Sequence, residues 1–499
     1  MAYLDRPQAI WHVGPLALGL PWWILAALLV YWLVVVVLLI SDNRKPASTL
    51  LWLFTLVVLP GLGLVLFLFF GRDWKVITAR RHWAEGYMAA VKAKMQPIYE
   101  RNAAAEATFE ERYDGTFATD ISAAIRRENG SYPLPAASVE IFVDGADKFA
   151  RLEQDLAAAT SFINMEYFIW EQDELTAKIS TILLERMAAG VEVRILYDYI
   201  GSISFKKAEL KKLEAAGARV RADVKDVFKL NYRNHRKIAV IDGGIGYTGG
   251  MNMGQEYIDG GVRFPTWRDT HLRITGQAVA ELQKLFALRW FEVAHEDLLL
   301  DRFLPAADGG GSGVEAGVVL TQLVAHTIED PWEAGRRAHM IAISQAEKTL
   351  RIQSPYFVPD QGTYDALINA ALSGVDLKFM MTGWVDKKLP FWAAQTYYEP
   401  ILRSGGRIFQ YTGGFFHAKT IAIDSAVCAV GTMNMDIRSL QLHKEVMEWI
   451  YDAAITAQLE ETFDHDLEQC REITLADVRA VGRVTGFRNS VARLFSAQI

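Results

Sequence analysis

"NHRKIAVID" (Asn234–Asp242) and "FHAKTIAID" (Phe416–Asp424) decide how this chain folds. Both read His-x-Lys-x-x-x-x-Asp, and the second histidine stands 182 residues after the first. Each runs on into a turn and a strand-like stretch ending in Met-Asn, "YTGGMN" at 247–252 and "AVGTMN" at 429–434. The apolar residues after each lysine read as a buried strand, and on a strand residues i and i+2 share a face, so each histidine and lysine are expected to point together. A lone His-x-Lys is ordinarily a solvated strand face. Two copies in register, each followed by Gly-x-Met-Asn, indicate a duplication instead.

The duplication extends outward from the motifs. "INMEYFIW" at 163–170 corresponds to "RIQSPYFVP" at 351–359, "AAGVEVRILYD" at 188–198 to "LSGVDLKFMMT" at 372–382, and "LEAAGARV" at 213–220 to "LRSGGRIF" at 402–409. Short β-rich runs alternate with helical patterns, which predicts an α/β fold of two similar units with largely buried strands. No solenoid period appears. "PAADGGGSG" at 305–313 has the composition of a linker. The expected organisation is 1–75, 76–135 as a connector, 136–304 as the first unit and 318–499 as the second.

The first 75 residues are of another kind. Leu16–Ile40 and Ala47–Phe70 carry no charge, and each is long enough to cross a bilayer core of roughly 30 Å. A cleaved leader fits poorly, because the first run is too long and a second follows at once. The pair predicts a two-helix transmembrane hairpin. Arg44 and Lys45 lie in its turn, against Arg6 at one end and Arg72, Lys75, Arg80 and Arg81 at the other, a bias that predicts both ends and the body on the cytoplasmic side of the membrane.

Composition narrows the function. The chain has 52 basic and 59 acidic residues; residues 1–72 carry four basic and two acidic, which leaves 48 basic against 57 acidic in the rest. Nucleic-acid enzymes show the opposite balance, because phosphate neutralisation dominates their affinity, so no nucleic-acid partner is expected. Two cysteines make no disulfide framework, and Cys428 in "AVCAV" reads as core. A metal site lacks its usual ligand patterns, since no HExxH or cysteine pair is present.

Two histidines, two lysines and two asparagines gathered by pseudo-twofold packing of the units suit a phosphodiester. Lysines and asparagines would hold the phosphoryl oxygens, one imidazole would attack phosphorus, and the other would protonate the leaving alkoxide. Loops "SISFKKAELKK" at 202–212 and "WVDKKLPFW" at 384–392 pair aromatics with lysines and are candidates for touching an anionic membrane.

The chain resembles the phospholipase D superfamily and, within it, the bacterial cardiolipin synthases. The motifs above carry the wider resemblance. The apolar segment with "LVVLPGLGLVLFLFFGRDW" at 56–74, together with "MEYFIW" at 165–170, "WRDTHLRITG" at 267–276, "SPYFVPD" at 354–360 and "GTMNMDIRSLQL" at 431–442, narrows it. The resemblance implies two phospholipase D-like domains in pseudo-twofold arrangement after a membrane hairpin. It also implies transfer between two phosphatidylglycerol molecules to give cardiolipin and glycerol, with no metal or other cofactor. The partners would be phosphatidylglycerol, other phospholipids and the bacterial membrane.

Carried over by position, the resemblance makes His235 the nucleophile and His417 the general acid. Lys237, Lys419, Asn252, Asn434 and Thr432 would contact phosphate. Asp269 and Glu445, 34 and 28 residues after the histidines, would orient the rings. Asp242 and Asp424 complete the candidate catalytic set and are expected to hold the site together rather than move protons. Three departures from the family pattern stand out: Gly250 in place of serine, His443 in place of asparagine, and "VAHTIEDPW" at 324–332 in place of a Ser-Gly-Pro segment. The motifs also allow a membrane-anchored phospholipase D or a phosphatidyltransferase with another acceptor (water, phosphatidylethanolamine or serine), because acceptor choice lies at the cleft mouth. A phosphodiesterase on nucleic acid and a non-catalytic scaffold fit less well, the first for charge and the second because both motifs are intact.

Overall fold

The apolar tails of both motifs form short strands, Lys237–Ile241 and Thr420–Ile423, buried along their whole length in a computed structural model of the chain. The structure describes residues 11–13, 16–18, 21–41, 46–67, 71, 83–205, 207–223, 232–306, 318–327 and 332–496. The chain divides into two compact units, Met1–Asp73 and Trp74–Ile499.

In the first unit, Trp22–Ser41 is a 20-residue helix, the one helix among the described residues long and apolar enough to cross a membrane. The second apolar run is interrupted where Pro60 and Gly61 fall in it. It forms two helices, Pro46–Val58 and Pro60–Leu66, separated at Leu59. Pro60 supplies no amide hydrogen and sits in the first turn of the shorter helix, where that loss is cheapest. The basic residues used to orient the segment, Arg6, Arg44, Lys45, Arg72, Lys75, Arg80 and Arg81, lie outside the described residues.

The second unit is built on one 15-stranded mixed sheet among the described residues. Outward from its centre in one direction run Leu134–Phe142, His271–Gly276, Ile245–Gly249, Lys237–Ile241, Phe162–Tyr167, Glu192–Asp198 and Arg219–Asp223. In the other direction run Val319–His326, Glu445–Tyr451, Val427–Gly431, Thr420–Ile423, Thr349–Gln353, Asp376–Thr382, Arg407–Tyr411 and the edge strand Cys470–Ile473. The duplicated segments therefore occupy equivalent places in the sheet. The two halves join where Val319–Thr321 pairs antiparallel with Leu134–Ala136. They share core: Leu272, Ile274 and Leu285 of the first half pack in one cluster with Ala422, Val430, Val446 and Ile450 of the second.

The connector is more than a spacer. Its helices Trp83–Arg101, Ala103–Tyr113 and Phe117–Asn129 bury their apolar faces in the body: Val91, Met95 and Ile98 in the shared cluster, Phe109, Ile121 and Ile125 in the core of the second half. Most of the linker, from 307 to 313, lies outside the described residues, as do 328–331 of the third departure.

Candidate active site

The turn aspartates fix the framework. Asp242 and Asp424 follow their strands in left-handed conformation (φ 50° and 52°), which aspartate tolerates better than most residues. The Asp242 carboxylate accepts the amides of Thr160, Ser161 and Phe162 at 2.7–2.9 Å, and Asp424 accepts those of Glu347, Lys348 and Thr349 at 2.7–2.9 Å. Each thus pins the entrance of a neighbouring strand. Within the candidate catalytic set these two carboxylates are occupied by backbone amides, the framing role that the sequence suggested for them.

The histidines do not lie on regular strands as the i, i+2 argument expected. His235 precedes the strand that begins at Lys237, and His417 sits between the short strand Phe415–Phe416 and Thr420–Ile423. What holds each motif is its own lysine. The Lys237 ammonium donates to the His235 carbonyl at 2.6 Å, and that of Lys419 donates to the His417 carbonyl.

Backbone contacts then cross between the halves. The His235 amide donates to the Lys444 carbonyl at 2.9 Å, and the His417 amide donates to the Arg268 carbonyl at 2.8 Å. Those two carbonyls come just before Glu445 and Asp269. The next residue in each case is therefore delivered to the other half's imidazole: His235 Nδ1 lies 3.0 and 3.1 Å from the two Glu445 oxygens, and His417 Nδ1 lies 2.8 Å from Asp269 Oδ2. The sequence spacing had placed each carboxylate after the histidine of its own half. The structure exchanges them. With Nδ1–H directed at a carboxylate, Nε2 is left to carry the chemistry.

The field of the site is positive and poorly hydrated. His235 and His417 are 7% and 8% exposed, and Lys237 and Lys419 are buried. Burial holds both imidazoles well below the usual histidine range, and the charges of Lys237, Lys419 and Lys387 add to the effect. Burial also lowers Lys419 to about 8, against the opposing pull of Asp269 and Glu445, and lifts Asp269 to about 6 despite Lys419. Such a site is arranged for an anion, whose charge would favour both the lysine cations and an imidazolium.

The remaining candidates divide. Asn252 is buried, donating to the Tyr257 hydroxyl at 2.7 Å and accepting the Ile169 amide at 3.2 Å, while the buried Asn434 Oδ1 makes no hydrogen bond. Thr432 is corrected as a phosphate contact: its hydroxyl donates to Glu445 and accepts the Val446 amide at 2.9 Å. It steadies the carboxylate that steadies His235. The equivalent position, Gly250, has no room for a side chain, since a Cβ there would lie 1.9 Å from Asp269 Oδ1. Gly250 with the shorter aspartate and Thr432 with the longer glutamate are matched pairs.

Sequence reasoning missed several contributors. Phe168 packs edge-on to His235 at 4.8 Å, and Phe415 stacks by His417 at 5.8 Å. Arg268 is clamped by Asp466 at 2.7 Å, which fixes the backbone that delivers Asp269. "MEYFIW" and "WRDTHLRITG" contained Phe168 and Arg268 without revealing their partners. Lys387, read as part of a membrane loop, acts on both histidines. His443 lies beside His235, with ring centroids 5.8 Å apart and Nδ1 3.5 Å from Glu445, and burial depresses its pKa to about 3. His235, His443 and Glu445 form the one group of metal-type donors among the described residues, with donor atoms within 4.8 Å of one another. Glu445 is already engaged by His235 and Thr432, so a cation would compete with the contact that orients His235.

Comparison with known proteins adds the family context. A model described as cardiolipin synthase, phospholipase D-like domain, matches residues 152–287 and 340–467, one match to each half, and a phospholipase D-nuclease N-terminal model matches 27–72. A cardiolipin synthase of Oceanobacillus iheyensis is 35% identical over 91% of this chain and 94% of its own length. The major cardiolipin synthase of Bacillus subtilis is 34% identical over 91% and 94%. Among solved structures, a phosphatidylserine synthase of Haemophilus influenzae superposes with a TM-score of 0.59 at 13% identity, covering 76% of this chain and all of its own, a likeness of fold.

Proposed function

As a member of the cardiolipin synthase family built from paired phospholipase D-like domains, the chain is a phosphatidyltransferase, and we propose that it joins two phosphatidylglycerol molecules into cardiolipin and glycerol through a phosphohistidine. The observation that carries the reading is the crossed pairing, His235 with Glu445 and His417 with Asp269, around two buried lysines.

In the first step His235 Nε2 attacks phosphorus as the bond to the glycerol oxygen breaks, and His417 gives its proton to the departing alkoxide. In the second, a hydroxyl of another phosphatidylglycerol loses its proton to His417 and attacks phosphorus, and the phosphorus–nitrogen bond breaks. Each imidazole is held in the required tautomer by its carboxylate. Lys237, Lys419, Asn252 and Asn434 bind the phosphoryl oxygens. The bound diester also supplies the negative charge that lets His417 take up the proton it must donate, which the lysine field opposes in the empty site. Acid–base work of this kind is worth roughly 10²–10⁴ in rate. No step needs a metal or a nucleotide.

The halves carry these roles through a pseudo-twofold axis near the pairing of Leu134–Ala136 with Val319–Thr321; equivalent strand order on either side supports it. The domains run 136–304 and 318–499. The apolar segment anchors the body as a two-helix hairpin in the inner membrane, with both ends cytoplasmic, and the helix Trp22–Ser41 supports the anchor. The test is incubation of purified protein with labelled phosphatidylglycerol in mixed micelles, followed by identification of the products. Cardiolipin and free glycerol in equal amounts, undiminished by a chelator, fit the reading. Phosphatidic acid as the main product would make water the acceptor and overturn it.

A further inference from the structure

The last helix of the chain, Arg483–Arg493, is turned inside out for a helix on a globular body. Its buried positions are Asn489 and Ala492, while Val484, Phe487 and Leu494 are 84%, 72% and 81% exposed. With Val491 and Phe495, also exposed, these positions recur at i, i+3, i+7, i+10 and i+11, which is one continuous stripe of a helix and its last turn. A soluble surface helix packs that stripe against the core. Here the opposite side is the anchored one. Asn489 donates to Gln395 Oε1 at 3.0 Å, the Arg488 guanidinium lies 4.4 Å from the Trp392 ring, and that of Arg493 lies 4.4 Å from the Tyr397 ring.

The stripe lies on a segment with one sign of charge. From Val478 to Ile499 the chain has Arg479, Arg483, Arg488 and Arg493 and not one acidic residue, within a protein whose net charge is −7. An apolar stripe on a segment whose charge is all positive matches the interface of an anionic bilayer, where the ring and aliphatic groups enter the acyl boundary and the exposed guanidinium groups of Arg479 and Arg483, which are not stacked on the body, meet phosphates.

The helix is also connected to the site. It packs on Lys388–Ala394, and that segment follows Lys387, whose charge reaches both histidines. Leu389 in that segment, and Trp384 and Val385 just before it, are further exposed apolar side chains. We propose that the helix Arg483–Arg493 and the turn after it lie in the surface of an anionic lipid bilayer and set the cleft mouth against it, so that lipid enters without leaving the membrane. The proposal rests on the reading that the cleft accepts membrane lipid.

The test uses the full chain reconstituted in vesicles of phosphatidylglycerol and phosphatidylcholine, where the N-terminal segment keeps every variant on the membrane. An environment-sensitive fluorophore is placed at Val484→Cys in a Cys470→Ser background; Cys428 is buried. Quenching by bilayer-embedded quenchers, stronger as the phosphatidylglycerol fraction rises, is the expected result. The substitutions Phe487→Ser and Leu494→Ser together should abolish the quenching. They should also lower turnover on vesicles roughly tenfold and leave turnover on short-chain phosphatidylglycerol in neutral detergent unchanged. A probe that stays in water on anionic vesicles overturns the proposal. So does a probe shielded in detergent with a doubled particle mass, which would mean that a second copy covers the stripe. Quenching with no transferase activity on any substrate would uphold the docking and overturn the reading of the cleft.

Discussion

Replacing Gly250 by serine, the residue that the wider family pattern places there, should damage this protein. A Cβ at position 250 would lie 1.9, 2.6 and 2.7 Å from Oδ1, Cγ and Oδ2 of Asp269, so the carboxylate must withdraw by roughly 1.5 Å to regain van der Waals distance. Asp269 is fully buried and is tied to the Thr270 amide at 2.7 Å and to His417 Nδ1 at 2.8 Å, so the withdrawal breaks the contact that orients His417. A hydrogen bond to a charged group contributes about 1.5–3 kcal/mol, which corresponds to a loss of roughly 10–150-fold in kcat. Steady-state turnover of phosphatidylglycerol is the assay, with thermal unfolding to show that the variant is folded. The second half suggests the remedy. Combining Gly250→Thr with Asp269→Glu copies the Thr432–Glu445 pair and should recover most of the lost rate. Wild-type turnover by Gly250→Ser alone, or no recovery in the double variant, would refute the matched-pair argument.

Other perturbations separate frame from chemistry. Asp242→Asn and Asp424→Asn keep the left-handed turn but lose the charge that gathers three amides; each should cost roughly 2–4 kcal/mol of stability by denaturant titration and leave the kcat of the folded fraction near normal. Burial lowers the Lys419 pKa to about 8 from 10.5, so the unfolded chain holds the proton between those values while the folded one does not, and stability rises with pH across that window. Lys419→Met should therefore raise the melting temperature at pH 7 while removing activity. In the native protein the rate should fall below about 6, where Asp269 takes a proton, and above about 8, where Lys419 loses one. Micromolar zinc should inhibit through His235, His443 and Glu445, and His443→Asn should be markedly less sensitive in the same rate assay.

The motif spacing made the duplication, the buried strands and both His/Lys pairs legible, because buried apolar runs and repeated polar residues leave their pattern in one dimension. The crossing of the carboxylates was not legible. Asp269 and Glu445 stand at the expected distance after a histidine, but their partners are set by Arg268 and Lys444 carbonyls that pair with the other half, a long-range register that spacing does not encode. Thr432 misled for a similar reason, since a hydroxyl near the site fits phosphate or carboxylate equally until Glu445 is placed. The connector's polar periodicity concealed how much of it is core, because Phe109 and Ile121 are few among many charges. The break at Leu59 was legible despite uniform composition, because Pro60 and Gly61 interrupt the apolar run from Ala47 to Phe70.

The central claim is that His235, oriented by Glu445, is the nucleophile and His417 the acid. Its most direct measurement is rapid acid-free quenching of the His417→Ala protein after mixing with phosphatidylglycerol labelled in its phosphatidyl moiety, followed by peptide mapping. The account predicts label on the peptide containing His235, its yield reduced by Glu445→Gln. Label on His417 in the complementary His235→Ala protein, with none on His235 in the His417→Ala protein, would contradict it.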